Sequence, residues 1–131
     1  DGVSRGAYAV IDEENPELVF LATGSEVSLA MDVAHNMSDK KIRVVSMPCW
    51  EIFEKQSPDY KVSIIPKRGS MKISFEAGIT LGWERYTGSN GLSIGIDHFG
   101  ASAPGKDLAE EFGFTAEKIE SRIRNYLKKL L

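Results

Sequence analysis

The sequence predicts an α/β protein, a three-layer α/β/α sandwich around a five-stranded mixed sheet with four strands parallel and the first antiparallel. Three observations carry this. Leu18-Val19-Phe20-Leu21-Ala22 is apolar at every position, as in a parallel strand covered by helices on both faces. Three strand-helix-strand patterns follow in series from it. Only residues 12–17 separate it from the strand-like Tyr8-Ala9-Val10-Ile11. A parallel crossover takes about a dozen residues or more, so the first strand runs antiparallel if it shares the sheet.

After the central strand, Thr23-Gly24-Ser25 breaks the apolar run. Ser25 suits a helix N-cap, and Glu26 in the first turn complements the helix dipole. Val27, Ala30, Met31, Ala34 and Met37 then form one apolar stripe, with Ser28, Asp32, His35 and Asn36 on another face. Residues 42–47 are the next strand, ended by Pro48. Residues 49–55 predict a short helix. A second opens at Ser57-Pro58, a capping residue followed by proline at the first helical position, and stops at Pro66. Met71-Lys72-Ile73-Ser74-Phe75 alternates as a strand, 79–86 reads as a helix, and 92–96 alternates again. Pro104 suits a helix start and Gly113 a helix end. Thr115 then caps a last helix with Ile119, Ile123, Tyr126, Leu127 and Leu130 on one face.

With 131 residues, 42% of them hydrophobic, the chain is expected to form a single domain over 1–131 around one core, with 1–6 a residual linker. Its first residue is Asp, and its opening is polar and glycine-bearing, so a piece of a longer chain is expected. The net charge of −3, with basic pairs such as Lys67-Arg68 but no basic block, argues against nucleic acid as a partner. No apolar stretch approaches the ~20 residues that cross a bilayer, and no secretory leader is visible. A lone cysteine, Cys49, fits a reducing compartment, so the expected location is the cytoplasm.

In open α/β sheets ligands sit beyond the carboxyl ends of the strands. Gly24, Ser25 and Glu26 occupy one such end, where free backbone N–H groups can hold an anion. Glu26 opposes a phosphate there. Asp97 and His98 follow the last strand. A carboxylate beside an imidazole is an acid/base pair in principle, but neighbours on a strand point to opposite faces. Gly100-Ala101-Ser102-Ala103-Pro104-Gly105-Lys106-Asp107 matches G-x-x-x-x-G-K, yet Asp107 stands where a P-loop needs Ser or Thr, and Pro104 deletes a cradling N–H. Cys49 has no basic neighbour to activate it and is expected to be a buried inert thiol. His35 is expected to be solvated. Trp50, Phe53, Trp83, Tyr86 and Phe99 are expected in the core or at an interface. The residues alone thus describe an α/β domain without a self-sufficient active site.

Taken in order, Leu21-Ala22-Thr23-Gly24-Ser25-Glu26-Val27, Val44-Val45-Ser46-Met47-Pro48, Glu76-Ala77-Gly78 with Trp83 and Tyr86, Ile96-Asp97-His98-Phe99-Gly100-Ala101-Ser102-Ala103-Pro104, and Glu110-Glu111-Phe112-Gly113-Phe114-Thr115 resemble the carboxy-terminal domain of the transketolase family. That resemblance covers nearly the whole chain. It implies a three-domain enzyme using thiamine diphosphate and magnesium to move a two-carbon ketol unit between sugar phosphates in the pentose phosphate pathway. It also implies a homodimer with the cofactor between the other two domains, so that this segment's partners are the remaining domains of its own polypeptide. The family's diphosphate-and-magnesium motif begins Gly-Asp-Gly, which this sequence lacks. Its catalytic glutamate, substrate-binding histidines and phosphate-binding arginine belong to earlier domains. The resemblance therefore assigns this segment no catalytic, cofactor or metal residue. It leaves Gly24, Ser25, Glu26, Asp97, His98, Gly100 and Ser102 as interdomain or anion-binding candidates, with an assembly or regulatory role. Two alternatives remain open: the third domain of a related thiamine enzyme (a deoxyxylulose phosphate synthase or a 2-oxo acid dehydrogenase beta chain), and a free-standing anion-binding α/β module.

Overall fold

In a computed structural model of the chain, which describes residues 3–24, 26–76, 82–88, 90–95 and 115–130, five strands form one sheet. They are β1 (Tyr8–Ile11), β2 (Leu18–Ala22), β3 (Ile42–Ser46), β4 (Met71–Glu76) and β5 (Leu92–Gly95), in the order β1-β3-β2-β4-β5. β2 pairs in parallel with β3 and β4, and β4 with β5, while β1 pairs antiparallel with β3. The expected mixed sheet is therefore present. The β1–β3 register shifts between Ala9 and Ile11, and the skipped Val10 is 37% exposed. Such a bulge blunts an edge strand against pairing with another chain.

Helices α1 (Glu26–Asn36) and α5 (Ala116–Lys129) cover one face, and α2 (Trp50–Glu54), α3 (Pro58–Ile64) and α4 (Glu84–Thr87) cover the other. Period-2 alternation sorts the strand residues between them. Leu18, Phe20, Ala22, Ile42, Val44, Ile73, Phe75 and Ile94 pack with α1 and α5, whereas Val19, Leu21 and Val45 pack with Phe53, Ile65 and Trp83. The whole of β2 and β3 is buried, as the unbroken apolar run of β2 requires.

The caps follow the sequence. Ser57 Oγ accepts from Tyr60 N at 3.1 Å with Pro58 opening α3, and Thr115 Oγ1 accepts from Lys118 N at 3.4 Å. Ile119 and Ile123 are buried as expected, but Leu130 is 48% exposed, because it lies at the C-cap of α5 beyond the packed turns. In α1, Val33 is buried in addition to the expected Ala30 and Ala34. The helix expected over 79–86 cannot run unbroken: Gly82 has φ +96°, which no right-handed helix accommodates, and α4 begins at Glu84. Residues 77–81, the helix start at Pro104 and the helix end at Gly113 lie outside the described residues.

Before β1, Val3–Arg5 make one 3-10 turn. Gly6 follows with φ +88°, and a Cβ there would collide with Cys49 O and Phe53 N. Cys49 N donates to Gly6 O at 3.1 Å. A glycine at position 6 thus lets this segment lie directly on the start of α2.

Candidate functional site

The chain leaves β2 toward β3 on one side, and leaves β4 toward β5 on the other. Neighbouring β2 and β4 are therefore the topological switch point, beyond whose carboxyl ends an open α/β sheet forms its ligand crevice. Thr23 follows β2 there and Glu76 ends β4. Thr23 Oγ1 donates to Glu76 Oε2 at 3.1 Å, bridging the crevice. Gly24, with φ +55°, turns the chain into α1, where Glu26 N donates to Thr23 O at 3.1 Å and Val27 N to Gly24 O at 3.3 Å. Glu26 lies in the first turn of α1.

The described part of this crevice is acidic and hydroxyl-bearing. Its carboxylates, Glu26 and Glu76, oppose the attraction of a helix N-terminus for phosphate. Of the sequence candidates, Gly24 and Glu26 come together here, whereas Ser25, Asp97, His98, Gly100 and Ser102 lie outside the described residues. The Thr23–Glu76 bridge spans 53 positions of sequence. Position alone, at the ends of two neighbouring strands, was the signal for it. His35 is exposed on α1, as expected. Cys49 is half-buried, a correction to the buried thiol expected, because it lies beyond the end of β3 as the N-cap of α2.

On the face of α2, α3 and α4 the expected aromatics form one cluster. Trp50 meets Trp83 and Tyr86 edge-on at centroid distances of 4.6 and 5.3 Å, and Phe53 meets Tyr86 at 6.0 Å. Phe99 lies outside the described residues. Tyr86 Oη donates to Glu54 Oε2 at 2.7 Å. Burial, then that carboxylate, pushes the Tyr86 phenol up to about 12, and the same hydrogen bond, with Lys61 alongside, holds the Glu54 carboxyl below its ordinary value.

Two charges sit deep on this face. Arg43 of β3 donates to Glu13 O at 2.9 and 3.1 Å, to Ser63 O at 2.9 Å and to Ile64 O at 3.1 Å, so its guanidinium ties the 12–14 turn to the end of α3. Lys72 of β4 donates from Nζ to Ser70 O at 3.0 Å, and burial pulls its pKa down. Among the described residues no three or more His, Cys, Asp or Glu side chains are grouped to hold a metal ion, and no helix is long and apolar enough to cross a membrane.

These features define an α/β/α domain with a mixed five-stranded sheet and, among the described residues, no assembled reaction centre. A family model described as the transketolase-like TK C-terminal domain matches residues 6–115. A transketolase of Staphylococcus aureus (strain MW2) is 48% identical over 126 residues, covering 94% of this chain and 19% of that protein. The chloroplastic transketolase of Zea mays is 41% identical, covering 96% of this chain and 19% of that protein. The solved structure of transketolase from Leishmania mexicana has a TM-score of 0.88 at 42% identity, covering 98% of this chain and 19% of that one. The chain belongs to the transketolase family, as its carboxy-terminal domain, and spans about 19% of the length of the relatives it matches.

Proposed function

We propose that this chain acts as the third domain of a transketolase and supplies shape and interdomain contacts rather than reacting groups. The observation that carries the proposal is the match itself, which takes in 94% of this chain and 19% of the relative. The full-length enzyme transfers a two-carbon ketol unit between sugar phosphates in the pentose phosphate pathway, as a cytoplasmic homodimer with thiamine diphosphate and magnesium. When bound, the thiamine cofactor supplies the electron sink for the carbanion of that unit.

The described residues of this chain do not fit that group. Its sequence holds no Gly-Asp-Gly, and the Glu26 and Glu76 carboxylates at the switch point oppose a diphosphate. No step of the reaction is assigned to it. Its part is mechanical: Gly24, Ser25, Glu26, Asp97, His98, Gly100 and Ser102, at or following strand carboxyl ends in the sequence, contact the neighbouring domain.

Replacing the third domain of the Staphylococcus aureus relative with this chain tests the proposal. The chimera is expected to turn over sugar phosphates, and the chain alone is expected to be inactive. Turnover by the chain alone, or a folded dimeric chimera without turnover, would contradict it.

A further inference from the structure

At the amino edge of β4 and β5, the end of the sheet away from the switch point, a cleft of about 390 Å³ is lined by residues of α2, α3 and α4. Small-molecule pockets commonly span ~300–1,000 Å³. Lys61, Lys67, Lys72 and Arg85 line it, and Glu54 is the one carboxylate among the described lining residues. Phe53 and Tyr86 contribute an aromatic wall.

Lys72 differs from the other three cations, because it is only 7% exposed. Its ammonium carries three donors, and among the described residues its only hydrogen bond is to Ser70 O. No described carboxylate lies within salt-bridge distance of it. Burying a charge is costly unless it is paired. Lys61 is already held by Glu54 at 3.4 Å and Arg85 also acts on that carboxylate, so the one carboxylate of the cleft is shared by two cations and the charge of Lys72 and Lys67 is left uncompensated.

We propose that this cleft binds a small organic phosphate monoester, with Lys72 and Arg85 supplying the charge that meets the dianion and Phe53 and Tyr86 flanking its organic part. The volume leaves room beside a phosphate group for such a part. The site is separate from the acidic strand-end crevice and does not depend on the role proposed for the chain in the larger enzyme. Seating a dianion beside Lys72 favours its ammonium form and reverses the downward pull of burial on that group.

Titration of the full 131-residue chain with phenyl phosphate, and in parallel with inorganic phosphate, followed by backbone amide shifts, tests the site. Saturable shifts are expected at 61–67, 72 and 85–88, with phenyl phosphate binding at least severalfold more tightly than inorganic phosphate. Lys72→Met is expected to weaken binding about tenfold or more, and Arg85→Gln, an exposed position whose replacement leaves the core intact, about threefold or more. Lys128→Gln, on α5, leaves it unchanged. Absence of saturation, shifts spread evenly over the surface, or affinity unaltered by Arg85→Gln in a folded variant would overturn the proposal. Equal affinity for the two ligands would overturn the organic part of it.

Discussion

Under α1 and α5 the sheet meets aliphatic side chains and the Phe20–Phe75 pair, whose ring centroids are 4.9 Å apart. Under α2, α3 and α4 the same strands bury Arg43, Lys72 and Ser74 beside an aromatic cluster. On the first face the charged partners stay at the rim: Arg124 of α5 reaches Asp39 at 2.7 and 3.0 Å and Glu120 at 2.9 Å, all near solvent. On the second, a guanidinium and an ammonium are held at depth. One sheet therefore divides its work. The first face contributes packing with little polar cost, and the second holds charge in a low-dielectric setting, where it is worth more to a ligand and more damaging to remove.

Substitutions sharpen that contrast. Phe20→Ala removes a fully buried ring from the first face and is expected to cost about 3–5 kcal/mol in urea unfolding, without altering anion binding in the cleft of the second. Arg43→Met strips the donor from three carbonyls at once and is expected to cost about 2–4 kcal/mol. A loss no larger than that of a surface substitution would mean that the buried guanidinium is dispensable, and the contrast between the faces would fail.

The pH dependences are smaller. Folding raises the Tyr86 phenol to about 12 from its ordinary 10. The stability it contributes is thus complete below pH 10 and lost as pH rises through 12. Phenolate absorbance reads this directly, and Glu54→Gln is expected to bring the titration part of the way back toward 10. On the first face, the Arg124 hydrogen bonds hold the Asp39 carboxyl down at about 2, against an ordinary 3.8. That contribution is present above 3.8 and fades as pH falls toward 2. Asp39→Asn should flatten the acid limb of stability slightly, and added salt should do the same in the parent chain, as for any exposed pair.

Much of this division follows from periodicity. The unbroken run of β2, the short 12–17 connection and the caps at Ser57 and Thr115 are local signals, and each has its counterpart in the structure. The depth of Lys72 was not legible. Met71-Lys72-Ile73-Ser74-Phe75 alternates like a half-exposed strand, but residues of α2, α3 and α4 lie over its polar side. Nor was the Thr23–Glu76 bridge legible, since it depends on β2 and β4 being neighbours, which is settled by how the whole sheet is ordered. Apolar spacing over 79–86 reads as one helix, and the positive φ of Gly82 breaks it for a local reason that spacing does not carry.

The proposed role gives this domain charges that serve packing and a cleft at the amino edge of the sheet, with none for the thiamine cofactor. Calorimetric titration of the folded chain with thiamine diphosphate and magnesium tests it most directly. No micromolar binding is expected beyond any that Lys72→Met and Arg85→Gln abolish. A saturable micromolar isotherm that survives both Lys72→Met and Arg85→Gln would place the cofactor on this domain and contradict it.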